Sequence, residues 1–170
     1  MIKEIVKLDY DGNLIVSYPE TNVYYKYYKV AEYNSKSEAK EKAKELRRGR
    51  KFTSRIRDNV VYMYPYTNHE KEFAKVKEQY RRDAIVNRGG VCCNISEDEG
   101  WIIERILDRK ERSNISIIET SEHNELRVRK EVCMMPEDMN KILAKLENYT
   151  ESINRKSDDI SRLVKQVKGM

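Results

Sequence analysis

Five side chains in this sequence are soft enough to ligate zinc or act as nucleophile and base: Cys92, Cys93, Cys133, His69 and His123. Zinc sites space their cysteines two to four residues apart so that two thiolates reach one ion. Cys92 and Cys93 are adjacent, and adjacent side chains of an extended chain point apart. A cysteine nucleophile needs a base held within hydrogen-bond reach, and no spacing here brings either histidine to a thiol. The expectation is three reduced, small side chains, with no metal, no cofactor and no catalytic residue. Asp9, Asp11 and Asp58 fall at turn positions, where Asp shapes the backbone, and most other acids alternate with Lys or Arg on helices as ordinary solvated pairs. Gly89-Gly90 is too short to cradle phosphate, and no Walker or dinucleotide pattern occurs.

The cations are distributed unevenly. Residues 1–68 carry 14 Lys and Arg against 9 Asp and Glu, whereas residues 69–170 carry 20 against 20. The whole excess of +5 therefore sits in the front of the chain. Its densest part runs from Lys44 to Arg57 and includes Arg47, Arg48, Arg50, Lys51, Arg55 and Arg57. Arginine suits phosphate because its planar fork donates two hydrogen bonds at once. Tyr24, Tyr25, Tyr27 and Tyr28 lie nearby, and exposed tyrosines stack on bases. Consecutive strand residues face opposite ways, so one member of each pair points away from the core; Tyr25 and Tyr27 are the stacking candidates. Phosphate ligands at the six cations, and a nucleic-acid partner, are the expectation.

These residues need elements to hold them. Ile2–Asp9 alternates apolar and charged residues and reads as a strand. Asp11-Gly12-Asn13 signals a tight turn, Leu14–Tyr18 the returning strand, and Val23–Tyr33 a third. Ser35-Lys36-Ser37-Glu38 opens a helix through a capping box and Gly49 closes it. Lys51–Ile56 and Val60–Tyr64 read as a hairpin. Asn68 caps a second helix reaching about Arg88 with the stripe Phe73, Val76, Tyr80 and Ala84. Gly89-Gly90 is the best boundary, dividing a basic 1–88 domain from a charge-neutral 91–170 domain.

Beyond the boundary, Ser96-Glu97-Asp98-Glu99 starts a helix with carboxylates at the positive end of its dipole; Trp101, Ile102, Ile106 and Leu107 are its expected buried face. Ile115–Glu119 and Leu126–Met134 read as a hairpin around Ser121-Glu122-His123-Asn124, with Arg127 and Arg129 on its polar face as further nucleic-acid candidates. Pro136 suits a first helical turn. Met139, Ile142, Leu146, Tyr149, Ile153, Ile160, Leu163 and Val167 then recur at steps of three and four, with Lys156 as the one polar break. Such a seam predicts a coiled-coil helix about 50 Å long at ~1.5 Å per residue, pairing most simply with a second copy. An antiparallel hairpin bent near Asn154-Arg155-Lys156-Ser157 is the alternative.

The segment Leu126–Val167 resembles the ribbon-helix-helix regulators by spacing alone: an alternating strand, a helix start at Met135-Pro136-Glu137 and a second at Ser157-Asp158-Asp159-Ile160. That resemblance implies a basic β-ribbon entering the major groove of DNA as a dimer.

The fold class expected is α+β: an antiparallel N-terminal meander with one or two helices, then a helix, a β-hairpin and a long helix. No apolar run approaches the ~20 residues that span a bilayer, and the N-terminus lacks a signal-peptide stretch, so the expectation is a cytoplasmic protein without a membrane partner. The functional expectation is a non-enzymatic, homo-oligomeric (dimer favoured) binder of DNA, RNA or a nucleoprotein enzyme. Its Lys-, Asn-, Ile- and Tyr-rich usage would suit a viral or mobile-element accessory protein. The competing expectation is a protein-directed inhibitor or adaptor that blocks a nucleic-acid-handling enzyme.

Overall fold

The computed structural model describes residues 3–120 and 128–169, with the backbone alone over 150–162. The chain is mixed α+β with antiparallel sheets, as the alternation and turn signals predicted. The N-terminal strands β1 (Ile5–Leu8), β2 (Leu14–Tyr18), β3 (Val23–Glu32), β4 (Phe52–Arg57) and β5 (Val60–Pro65) form one sheet in the order β1-β2-β3-β5-β4. Gly12 takes a positive φ of 87° in the first turn, and the Asp9 carboxylate accepts the Asn13 N–H at 2.7 Å to close it. A register shift between Lys29 and Ala31 bends β3, so Val30 and Ala31 both reach the core.

One face of this sheet packs on α1 (Lys36–Arg47) and α2 (Glu70–Asn87). Ser35 caps α1 by accepting the Glu38 N–H at 3.1 Å, and Ala39, Ala43 and Leu46 lie three and four residues apart on its buried face. Burying each large apolar side chain there is worth about 1.5–3 kcal/mol. The opposite face buries Leu14, Val16, Tyr27 and Tyr62, and no helix contributes to that cluster. The sheet covers its own inner face by rolling: Glu4, just before the edge strand β1, forms a two-pronged ion pair with Arg55 on the other edge strand, β4.

Helix α2 begins at His69 without a side-chain cap; the predicted cap, Asn68, instead adopts a positive φ of 74°. It ends in a Schellman turn. Gly89 at φ 90° donates to the Val86 carbonyl, and the Gly90 N–H reaches the Ile85 carbonyl at 2.8 Å. A Cβ at Gly90 would meet Ile85 Cγ2 at 2.2 Å and the Met134 carbonyl at 3.0 Å, so this glycine fits where helix and strand come closest.

The residues after Gly90, to which the sequence pattern assigns no element, form strand β6 (Val91–Ser96). It joins β7 (Ser116–Glu119) and β8 (Arg129–Met134) in a second antiparallel sheet with order β6-β8-β7. Between β6 and β7 lie α3 (Glu97–Ile106), where the predicted Ser96 cap is completed by Glu99 into a capping box, and a single turn α4 (Arg109–Arg112). One face of the second sheet packs on α3 and α5 (Pro136–Lys168) through Ile103, Leu107, Ile115, Ile117, Val132, Met134 and Ile142. Its other face meets α2, where the Ser116 hydroxyl donates to the Glu78 carbonyl at 3.0 Å and Arg82 pairs with Glu131. Helix α2 thus contacts both sheets.

Three expectations need correcting here. Trp101 is 56% exposed, because α3 turns Ile103 inward beside the expected Leu107 and Ile106 and leaves the indole under the Arg105 guanidinium at 5.0 Å. The cysteines are not all reduced: Cys92 and Cys133 form a disulfide, because the β6–β8 register sets them directly opposite with Cα atoms 4.1 Å apart. The ribbon-helix-helix resemblance fails on two counts. Strand β8 is flanked on both sides and has no edge for a second chain, and α5 runs unbroken through 154–157.

Candidate anion-binding cleft

The basic run does not form one face. Arg47 is exposed and donates to the Ser54 carbonyl at 3.1 Å. Lys51 pairs with Glu72 at 2.8 Å, and Arg55 is held by Glu4 at 2.8 and 2.9 Å. Arg48, Arg50 and Arg57 are exposed and have no ion-pair partner among the described residues. They stand at opposite ends of β4, separated by about 20 Å at ~3.4 Å per residue. An ordinary helix end and an ordinary hairpin therefore account for much of what reads as a patch in one dimension.

The tyrosines divide as their alternation requires. Tyr27 is 8% exposed in the rolled sheet, with the Arg55 guanidinium 5.5 Å from its ring centroid, and has no open face for a base. Tyr25 is 39% exposed and meets Tyr18 and Tyr64 edge-on at 6.2 and 5.7 Å. Tyr28 faces the other way, edge-on to Phe73 of α2 at 5.6 Å. Arg129 opens β8 in an exposed position opposite Ser96, and Arg127 lies outside the described residues.

On the predicted oligomerisation seam, Ile142 is buried and Leu146 packs partly against the second core, because the sheet and α3 supply the groove they fill. Met139 is 37% exposed and Tyr149 half-buried; Leu163 and Val167 are well exposed. The side chains of Ile153 and Ile160 lie outside the described residues.

The strongest concentration of positive charge lies elsewhere. A cleft of about 420 Å³ opens between β3, α2 and the α4 turn, and Lys26, Lys29, Lys77, Arg81, Arg109 and Arg112 all line it. Glu78 is its one acidic lining residue, and that carboxylate is already engaged: it accepts from Arg112 at 2.8 Å and from the Ile117 N–H at 3.1 Å, with Arg81 3.5 Å away. Asp9 and Asp11, in the β1–β2 turn, approach Lys26 at 3.8 Å and Arg109 at 3.4 Å. Six cations thus stand around the cleft against these three carboxylates, with Glu32 and Asp138 also acting on Lys29 from the neighbouring cavity.

Of the deep cations Lys29 and Lys77 are held without a carboxylate in ion-pair reach among the described residues, while Arg81 lies 3.5 Å from Glu78. Lys77 Nζ rests 5.2 Å from the Phe73 ring centroid and 5.6 Å from that of Tyr28, where the ring quadrupole attracts a cation but does not cancel its charge. Lys29 Nζ donates to the Asn114 side-chain carbonyl at 2.7 Å, a neutral partner. Arg81 is 4% exposed; its Nε donates to the Val30 carbonyl at 2.7 Å and its Nη1 to the Ile115 carbonyl at 3.3 Å, and Nη2 bonds the Lys29 carbonyl. Burial pulls Lys77 down to about 8, reinforced by the nearby Arg81 charge, and pulls Arg81 down to about 10. Lys29 is lowered by the same two causes, burial first. Crowded like charges in a low-dielectric cleft make an anion welcome there.

The sequence held only a faint signal of this site. Lys77 and Arg81 are four apart on one helix face, but like-charged pairs of that kind read as solvated surface until β3 and α4 are seen to close over them. Cys92, Glu131 and Cys133 also bring ligand atoms within 4.8 Å of one another, with both thiols joined in the disulfide. No protein-family model, curated protein or solved structure matches the chain.

Proposed function

We propose that this chain is a non-enzymatic, self-associating nucleic-acid-binding protein whose phosphate grip is the cleft between β3, α2 and α4. The observation that carries the reading is the gathering of six cations around a concave site with one acidic lining residue, Lys29 and Lys77 having no carboxylate within ion-pair distance among the described residues. Exposed Arg48, Arg50 and Arg57 add diffuse attraction over the surrounding surface. Self-association would run through the far part of α5, where Leu163, Val164 and Val167 are exposed on a helix of 33 residues. A dimer would join two grips and raise affinity through effective concentration.

The test is fluorescence anisotropy of labelled single- and double-stranded DNA and RNA across a salt series. Binding that weakens linearly on a log–log plot, and weakens further in Lys77→Gln, supports the reading. Affinity indifferent to salt, or no binding to any of the four, overturns it.

The second reading, a protein-directed adaptor or inhibitor, has its own observation. Trp101 is 56% exposed, and an apolar groove of about 450 Å³ lies between β6 and the start of α5, lined by Val91, Cys93, Ile95, Met139 and Leu143 among others. Exposed tryptophans are frequent anchors of protein interfaces. Under this reading Trp101→Ala abolishes capture of a protein partner from nuclease-treated lysate, while Lys77→Gln leaves it intact.

A further inference from the structure

We infer that the cleft is a pocket for a terminal phosphate, the phosphomonoester at the end of a nucleic-acid strand, and not a stretch of track for internal backbone. This rests on the nucleic-acid reading above and narrows it. Three observations carry it.

The first is shape. A concave volume of about 420 Å³ is the size of a small-molecule site. It is walled by β3 on one side, α2 on another and the α4 turn on a third. An internal phosphodiester would have to lead its chain in and out again; a strand end enters once.

The second is the depth and state of the charges. Lys29 and Lys77 are half-buried, and their ammonium groups meet an amide carbonyl and two aromatic rings. Arg81 stands behind them with its bonds committed to backbone carbonyls, so it supplies potential without having to touch the ligand. A phosphomonoester carries about −1.5 to −2 at neutral pH, against −1 for a diester, and so matches such a concentration of charge better. Asn13 adds a polar group at the wall: its Oδ1 is held by the Lys29 N–H at 3.1 Å, and its amide NH2 has no partner among the described residues. Arg109, 80% exposed at the side chain, sits at the mouth, where it can follow the next phosphate.

The third is contrast. A second cavity, of about 180 Å³, shares Lys29, Arg81 and Ser113 with the first. Its remaining charged residues are Arg88 with Glu32, Glu137 and Asp138, so the shared Lys29 and Arg81 meet carboxylates on this side. Lys26, Lys77, Arg109 and Arg112 line only the first cavity, and Glu32, Glu137 and Asp138 only the second, so the unshared cations gather on the side that opens under α4.

The experiment compares one short, internally labelled single strand carrying a 5′-phosphate, a 3′-phosphate or hydroxyls at both ends, titrated with the full chain at low salt. One phosphorylated form is expected to bind about tenfold tighter than the hydroxyl form, the worth of one charge-assisted hydrogen bond. That preference should disappear in Lys77→Gln and in Lys29→Gln, and persist in Arg57→Gln. Equal, salt-dependent binding of all three strands overturns the terminal-phosphate assignment and leaves the nucleic-acid reading standing. No binding of any strand overturns the reading itself. Inorganic phosphate and a nucleoside monophosphate serve as competitors: if they bind the cleft while no strand does, the strand-end assignment fails and the pocket belongs to a small phosphate ligand.

Discussion

Glu4 accepts both Nη groups of Arg55, at 2.8 and 2.9 Å, across a separation of 51 residues and from one edge of the five-stranded sheet to the other. The pair fastens the roll that buries Leu14, Val16 and Tyr27, and it removes the best-placed arginine of the basic run from solution. Arg55 in turn holds the Glu4 carboxyl below its usual range. A depressed carboxylate contributes stability that is present above its unfolded pKa and is lost as pH falls through its folded one. Both side chains are partly exposed, so Glu4→Gln should cost no more than about 1 kcal/mol. The loss should shrink in high salt and vanish in acid, as read from urea midpoints.

Arg81→Leu should be far more damaging. It removes the Arg81 donor from the Val30 carbonyl in a buried site, leaves the Ile115 carbonyl with Arg112 alone at 2.9 Å, and leaves the clamped Glu78 with less compensation. A loss of about 3–5 kcal/mol is expected, measured by denaturant unfolding. A loss below about 1 kcal/mol would show that the two sheets do not depend on this contact.

Lys77 gives the cleft a pH signature. Its folded pKa of about 8 lies below the ordinary lysine value because of burial first, then Arg81 and Arg112, with Glu78 opposing; Lys26 and Lys29 also line the site. Between about 8 and the unfolded value of ~10.4 the unfolded chain binds the extra proton, so stability should rise as pH is raised through that window. Below it the lysine is charged in both states and the cost is complete. Lys77→Gln should flatten this rise in a series of denaturant midpoints. Anion binding runs the other way, and phosphate affinity should fall as pH climbs past about 8.

The disulfide closes a loop between residues 41 apart in sequence. Loop entropy alone predicts about 4 kcal/mol of stabilisation. Cys92→Ser, at the exposed end of the bridge, should lower the denaturation midpoint and make the protein indifferent to reductant. Thiol titration of the native, unreduced protein should count one reactive group, Cys93. A count of three would mean the bridge does not form in solution.

If α5 pairs with a second copy, Leu163→Glu together with Val167→Glu should convert the sedimenting species to monomer without lowering the thermal midpoint of the two-sheet body. A native protein that is monomeric at every concentration removes this helix as an interface.

Local rules carried much of this fold. The turn at Gly12, the caps at Ser35 and Ser96, the helix start at Pro136 and the strands on either side of each turn were legible in the sequence, because dihedral preference and side-chain periodicity act over only a few residues. Asn68 was misread, and strand β6 after Gly90 went unassigned, for a related reason. Whether an apolar run such as Val91–Ile95 becomes strand or loop is decided by the presence of β8 to pair with it. The candidate site was less legible still. Net charge is a sum over the chain, but binding depends on which cations are left unneutralised, and that is settled by contacts from far away: Glu4 for Arg55, Glu72 for Lys51, the Ile115 carbonyl for Arg81. Sequence alone determined the elements and the sign of the excess charge. Only the tertiary structure decided that cations gather under α4, four of the six from the charge-balanced part of the chain, and not along Lys44–Arg57, because electrostatic fields add through space without regard to order along the backbone.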